Sequence, residues 1–156
     1  MTITWRVAVG SDEAGYEYKE AIRQDLEKDP RVELVRDFGV KAGEVVAYPE
    51  VGLAVAEAVA RGEVDRGVLV CGTGIGMAIS ANKVPGVRAT TIQDSYSCER
   101  SVLSNNCQII TFGQRVIGLE LARRLVHEWL GYVFDPSSPS QAKVGVITAY
   151  EQRRGT

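Results

Sequence analysis

Residues 68–83 read VLVCGTGIGMAISANK. A short apolar run ends at Cys71, the turn Gly72-Thr73-Gly74-Ile75-Gly76 follows, and a helix-forming segment continues from it. This is the pattern of a buried strand, a tight turn and the first turn of a helix. Glycine lacks a Cβ and a helix start leaves N–H donors unpaired, so such a turn lets the backbone approach an anion closely. Cys71 stands at the edge of that cradle, and a thiol beside a helix N-terminus can lose its proton near neutral pH. A base next to an anion hole is what proton abstraction beside a carbonyl requires, because the enediolate charge must be held as it forms. The same residues also fit a plain structural role, since strand-end cysteines are commonly core and glycine-rich turns commonly only turns.

Outward from this segment, the apolar periodicity predicts strands over 6–10, 32–36, 67–71, 87–92 and 108–112. It predicts helices over 16–28, from Tyr48-Pro49 to about 63, and over 75–83, 94–103, 115–130 and 141–153. Asp94 is placed to cap the fourth of these, and DPSSPS at 135–140 is a turn-rich connector before the last. Strands that alternate with helices and are apolar throughout indicate an α/β fold with a parallel sheet covered on both faces. Ligands bind such sheets at the carboxyl ends of the strands, near a topological switch point. Asp12, Cys71 and the stretch 105–108 fall near strand ends or in the loops between elements.

The 156 residues suffice for one domain with a real core, and no second domain, repeat or low-complexity segment is evident. A net charge of −2 with no basic block argues against nucleic acid as a partner. No apolar run is long enough to span a membrane, and the start MTITWRVAVG has no signal-peptide pattern. Three cysteines without regular spacing fit a reducing, cytoplasmic compartment, and no CxxC or His/Cys cluster points to a metal. Cys98 and Cys107 read as core or near-core residues, and the single histidine, His127, reads as a surface or interface residue on an amphipathic helix.

Taken in order, VGSDEAGYEYK, AYPEVGLAVAEAV, VCGTGIGMAISANKVPGVRA, ITFGQRVIGLELA and ITAYEQRR resemble the ribose-5-phosphate isomerase B and galactose-6-phosphate isomerase family over nearly the whole chain. The resemblance implies a single-domain, Rossmann-like three-layer α/β/α sandwich with a five-stranded parallel sheet. It implies a homodimer, often paired into tetramers, with active sites between subunits. It also implies a cofactor-free and metal-free aldose–ketose isomerisation of a small sugar phosphate through a cis-enediol. Carried over by position, Cys71 matches the base that moves the proton between C1 and C2. Gly72, Gly74, Ile75 and Gly76, with the Thr73 hydroxyl, match the anion hole. Asp12 matches a carboxylate at the substrate hydroxyls, Tyr48 and Asn105 match residues lining the sugar pocket, and Arg115 matches a phosphate ligand.

Three positions depart from the family pattern. Glu13 and Ser104 stand where the family carries histidines, the second of them associated with opening the furanose ring. Two C-terminal phosphate-binding arginines of the partner subunit align with Pro139 and Lys143, and Lys143 retains a point charge but not a bidentate fork. The default substrate pair is therefore ribose 5-phosphate and ribulose 5-phosphate, with Glu13, Asp12 or Ser104 standing in for the imidazole. The alternative is a shorter sugar such as a tetrulose 4-phosphate, which cannot close a furanose because its O4 is esterified. A non-catalytic metabolite-binding module would explain the glycine turn but leaves Cys71 and its flanks unexplained.

Overall fold

A computed structural model describes residues 2–155. Five strands, β1 (Trp5–Ser11), β2 (Val32–Asp37), β3 (Arg66–Cys71), β4 (Ala89–Thr91) and β5 (Ile109–Gly113), form one parallel sheet in the order β2-β1-β3-β5-β4. The helices between and after them are α1 (Tyr16–Lys28), α2 (Tyr48–Ala60), α3 (Ile75–Ala81), α4 (Ser95–Leu103), α5 (Leu119–Trp129) and α6 (Ser140–Arg154). A 3-10 turn, Glu13–Gly15, joins β1 to α1.

Period-two alternation of apolar side chains divides the core into two halves. Val7, Val9, Val68, Val70 and Phe112 face the layer of α1, α4 and α5, where Ile22, Leu26, Val102, Leu125 and Trp129 are buried. Ala8, Leu69, Cys71 and Ile109 face α2 and α3, where Val55, Val59, Met77 and Ala81 are buried. The result is the expected three-layer α/β/α sandwich with five parallel strands. Cys71 thus belongs to the face covered by α2 and α3.

Several expected boundaries move: α2, expected to about 63, ends at Ala60, and α3, expected to 83, ends at Ala81. The helix expected from 115 begins at Leu119, because Gln114 and Arg115 donate their N–H groups to the carbonyls of Cys71 and Gly72, at 2.9 and 3.0 Å, and so bind to a neighbouring loop instead. The fourth strand is only three residues long; at Arg88 the backbone N–H donates to the Gln108 side-chain Oε1, at 2.8 Å, instead of to a strand carbonyl. Asp94 caps α4 as expected, accepting the Ser97 N–H at 2.7 Å.

Candidate active site

The loops after β1, β3 and β5 and the start of α2 enclose a cleft of about 480 Å³ at the carboxyl edge of the sheet. The chain leaves β1 for α1 on one face and β3 for α3 on the other, so the cleft opens at a topological switch point. Asp12, Glu13, Tyr48, Cys71, Thr73 and Arg115 line it, along with Gly72, Ile75 and Gly76. Most of the residues singled out in the sequence therefore meet in one place.

Cys71 is buried at the end of β3, and its Sγ accepts the Gly74 N–H at 3.1 Å. Gly74 has φ of +80°, a conformation that only glycine adopts without strain, and this tightness brings the N–H back onto the sulfur. The Gly74 carbonyl accepts from the Ala78 N–H at 3.1 Å and from the Thr111 hydroxyl at 2.8 Å, and Thr111 in turn accepts from the Thr91 hydroxyl at 2.8 Å. Peptide planarity then fixes the N–H of Ile75 on the opposite edge of the same peptide unit. That N–H rests on the Thr73 hydroxyl at a long 3.3 Å, so the donor is preset yet weakly engaged. Fixed donors of this kind hold developing negative charge without reorganising.

The remaining groups surround this turn. Tyr48, at the first position of α2, lays its ring where a Cβ on Gly76 would stand. Arg115 extends along Gly72, and its guanidinium has no carboxylate partner among the described residues. A cation left unpaired beside an anion-receptive turn suits a phosphate. Asp12 is mostly buried and accepts the Gly15 N–H at 3.1 Å. Burial pushes its carboxyl above the ordinary 3.8, the Gly15 N–H opposes that, and nearby Glu13 adds to it. The folded state therefore holds this proton more tightly than the unfolded chain. That stabilising contribution is complete below the ordinary carboxylate value and is lost as pH rises through the elevated folded value. Asp12→Asn keeps the bond to Gly15 and removes the cost of burying charge. We expect its melting temperature to exceed that of the wild type at pH 7, the difference vanishing below about pH 4, while isomerase activity falls.

The structure does not bring Ser104, Asn105 or Lys143 to this cleft. Ser104 and Asn105 follow α4 and precede β5, at the amino edge of the sheet, opposite the end that carries Cys71. The Ser104 hydroxyl accepts from Arg100 at 3.2 Å, and Asn105 lines a separate cleft. Lys143 is exposed in the first turn of α6. Cys98 and Cys107 are buried as expected, and burial pushes their thiols up to about 12 and about 11. His127 is 75% exposed on α5, beside Asp29 and Arg31. Among the described residues no group of three or more His, Cys, Asp or Glu side chains gathers to hold a metal, and no helix is long and apolar enough to cross a membrane. The sequence reading missed Thr91 and Thr111, whose hydroxyls meet at 2.8 Å beneath the turn. It also missed Ile79, 56% exposed on the cleft rim.

Comparison with known proteins places the chain among sugar-phosphate isomerases. A family model described as Ribose/Galactose Isomerase matches residues 7–147. D-erythrulose-4-phosphate isomerase 2 of Mycolicibacterium smegmatis is 58% identical over 94% of this chain and 97% of its own length. Ribose-5-phosphate isomerase B of Escherichia coli is 42% identical over 96% of this chain and 98% of its own. The solved structure of Clostridium thermocellum ribose-5-phosphate isomerase B superposes with a TM-score of 0.90 at 42% identity, covering 96% and 99% of the two chains.

Proposed function

The chain belongs to the ribose/galactose isomerase family, and on that footing we propose that it interconverts the ketose and aldose forms of a four-carbon sugar 4-phosphate. It is a sugar-phosphate isomerase of the aldose–ketose type. In the proposed reaction Cys71 Sγ takes a proton from C1 of the ketose, and the charge that develops on O2 meets the N–H groups of the 72–76 turn. Asp12 carries the hydroxyl proton from O1 to O2, and Cys71, whose proton exchanges with solvent while the enediolate stands, protonates C2, leaving the aldehyde at C1. Atoms and charges balance, and the chain's own groups supply base, anion hole and proton relay. The observation that carries the reading is the Cys71 turn, with its N–H on the sulfur at 3.1 Å and Arg115 alongside.

The place of the imidazole supports a short substrate. Ser104 is engaged by Arg100, and the one histidine is out on α5. A 4-phosphorylated tetrose has no free O4 and closes no furanose, so it needs no ring opening. The 58% identical relative bears the name of such an enzyme. A second reading, ribose 5-phosphate and ribulose 5-phosphate, draws on the 42% identical E. coli relative. We expect kcat/KM for D-erythrulose 4-phosphate to exceed that for either pentose phosphate by tenfold or more, about 1.4 kcal/mol of barrier. The opposite order in a side-by-side assay returns the protein to the pentose reading.

Two features support a homodimer with shared sites. Helix α6 runs 15 residues and buries only Val144, leaving Val146, Ile147 and Tyr150 more than half exposed. Ile75 and Ile79 are equally bare on the cleft rim. Exposed apolar faces of this extent are commonly covered by a partner. One chain cannot set Asn105 beside its own Cys71, because they lie at opposite edges of one sheet; a second copy can. Three free, buried cysteines fit the reducing cytoplasm.

A further inference from the structure

Strand β5 is the floor of the Cys71 turn: a Cβ on Gly74 would stand 2.9 Å from the Phe112 carbonyl carbon and 3.1 Å from Thr111 Oγ1. Two residues on from Ile109, Thr111 shares its sheet face, the one covered by α2 and α3, and stands in register with Leu69 on β3 and Thr91 on β4. It is fully buried. A valine would fill that place without the cost of burying a hydroxyl, so packing alone does not account for a threonine there. The hydroxyl donates to the Gly74 carbonyl at 2.8 Å, and with its one proton so spent it accepts from Thr91 at 2.8 Å. Neither threonine lines the cleft. The carbonyl they hold belongs to the same peptide unit as the Ile75 N–H, whose contact with Thr73 is a long 3.3 Å. A donor on the carbonyl oxygen orients that planar unit and draws electron density from its nitrogen, which strengthens the N–H as a donor.

We propose that Thr111, braced by Thr91, is a positioning residue for the isomerisation: its hydroxyl fixes and polarises the Gly74–Ile75 peptide so that the Ile75 N–H meets the oxygen that becomes negative. The inference rests on the enediolate reading above and deepens it. The ketose carbonyl carries little charge before the proton leaves C1 and much more after. A stronger, better-aimed N–H therefore favours the transition state over the bound substrate. Arg115 lies along Gly72 and takes part in none of these contacts, so binding of the phosphate is independent of them.

The test is steady-state kinetics of the full chain on D-erythrulose 4-phosphate, with inorganic phosphate and a four-carbon hydroxamate 4-phosphate as inhibitors. The planar hydroxamate copies the enediolate, whereas inorganic phosphate reports only the anion-binding part of the site. Thr111→Val is expected to lower kcat about 10- to 100-fold, the upper end matching a donor displaced by roughly 1 Å, while KM and inhibition by phosphate stay within about threefold of wild type. The hydroxamate is expected to lose affinity by the same factor as kcat. Thr111→Ser keeps the donor and is expected to remain within about threefold of wild type on every measure. Thr91→Val removes only the brace and is expected to cost about 2- to 10-fold in kcat and in hydroxamate affinity alike, the net worth of one hydrogen bond. It decides the matter should Thr111→Val fail to fold, and unchanged values there overturn the proposal. So does an unchanged kcat in Thr111→Val, a KM that worsens as much as kcat falls, a hydroxamate affinity that does not follow kcat, or a Thr111→Ser as impaired as Thr111→Val; each leaves Thr111 a packing residue. The failures separate cleanly: a wild type inert toward every tetrose and pentose phosphate, or a fully active Cys71→Ser, sinks the functional reading. An active wild type with an inactive Cys71→Ser and an indifferent Thr111→Val sinks only this inference.

Discussion

Cys71→Ser is expected to lower kcat for sugar-phosphate isomerisation by at least ~10³-fold, about 4 kcal/mol of barrier, with the fold intact. Serine keeps the volume to within a fraction of a methyl group and can still accept the Gly74 N–H that reaches the sulfur at 3.1 Å. Its hydroxyl is a far poorer proton acceptor than a thiol, so the loss falls on the chemical step. KM is expected to change little, because Arg115, Tyr48 and the turn N–H groups remain in place. Steady-state kinetics paired with thermal denaturation checks both halves. Turnover within tenfold of wild type moves the proton transfer to Asp12 or Glu13.

The second large effect is expected from a residue with no functional group. A Cβ on Gly113, at the end of β5, would lie 2.6 Å from the Thr73 Cα and carbonyl carbon. These are backbone atoms, so relief requires the catalytic turn itself to move. We expect Gly113→Ala to cost about 1–3 kcal/mol of stability through overpacking. It is also expected to cut kcat about 10²-fold, since roughly 1 Å of misplacement carries a penalty of that order. Gly118→Ala is the control, because nothing lies within 4 Å of a Cβ there and its φ of −66° is open to any residue. Denaturant melts and kinetics on both variants separate a local clash from a general intolerance of alanine. Full activity in Gly113→Ala would show that the turn has slack.

These two residues also mark the range of what the sequence discloses. The Cys71 turn is legible because its signal is local: an apolar run, a cysteine, three glycines in five residues and a helix start. Helix α1 begins and ends where its apolar spacing predicts, at Tyr16–Lys28. The start of α5 is not legible, because the N–H groups of Gln114 and Arg115 are claimed by the carbonyls of Cys71 and Gly72. That competition comes from a strand more than 40 residues earlier and leaves no trace in local periodicity. The strand order β2-β1-β3-β5-β4 is likewise a tertiary outcome. It decides that Ser104 and Asn105 end up across the sheet from Cys71, although a motif-by-motif reading gathers them all into one list. Thr91 and Thr111 escape notice for the same reason. Two threonines on β-strands are ordinary, and only pairing of β4 with β5 brings their hydroxyls together under Gly74.

The central claim is that Cys71 moves a proton through an enediolate held by the turn that follows it. Isomerisation of D-erythrulose 4-phosphate in D2O, followed by proton NMR of the aldose, tests it most directly. The account predicts deuterium at C2 of the aldose formed by the wild type, and loss of that exchange together with turnover in Cys71→Ser. Aldose that keeps protium at C2 throughout the reaction, as a direct hydride shift from C1 to C2 delivers, would contradict it.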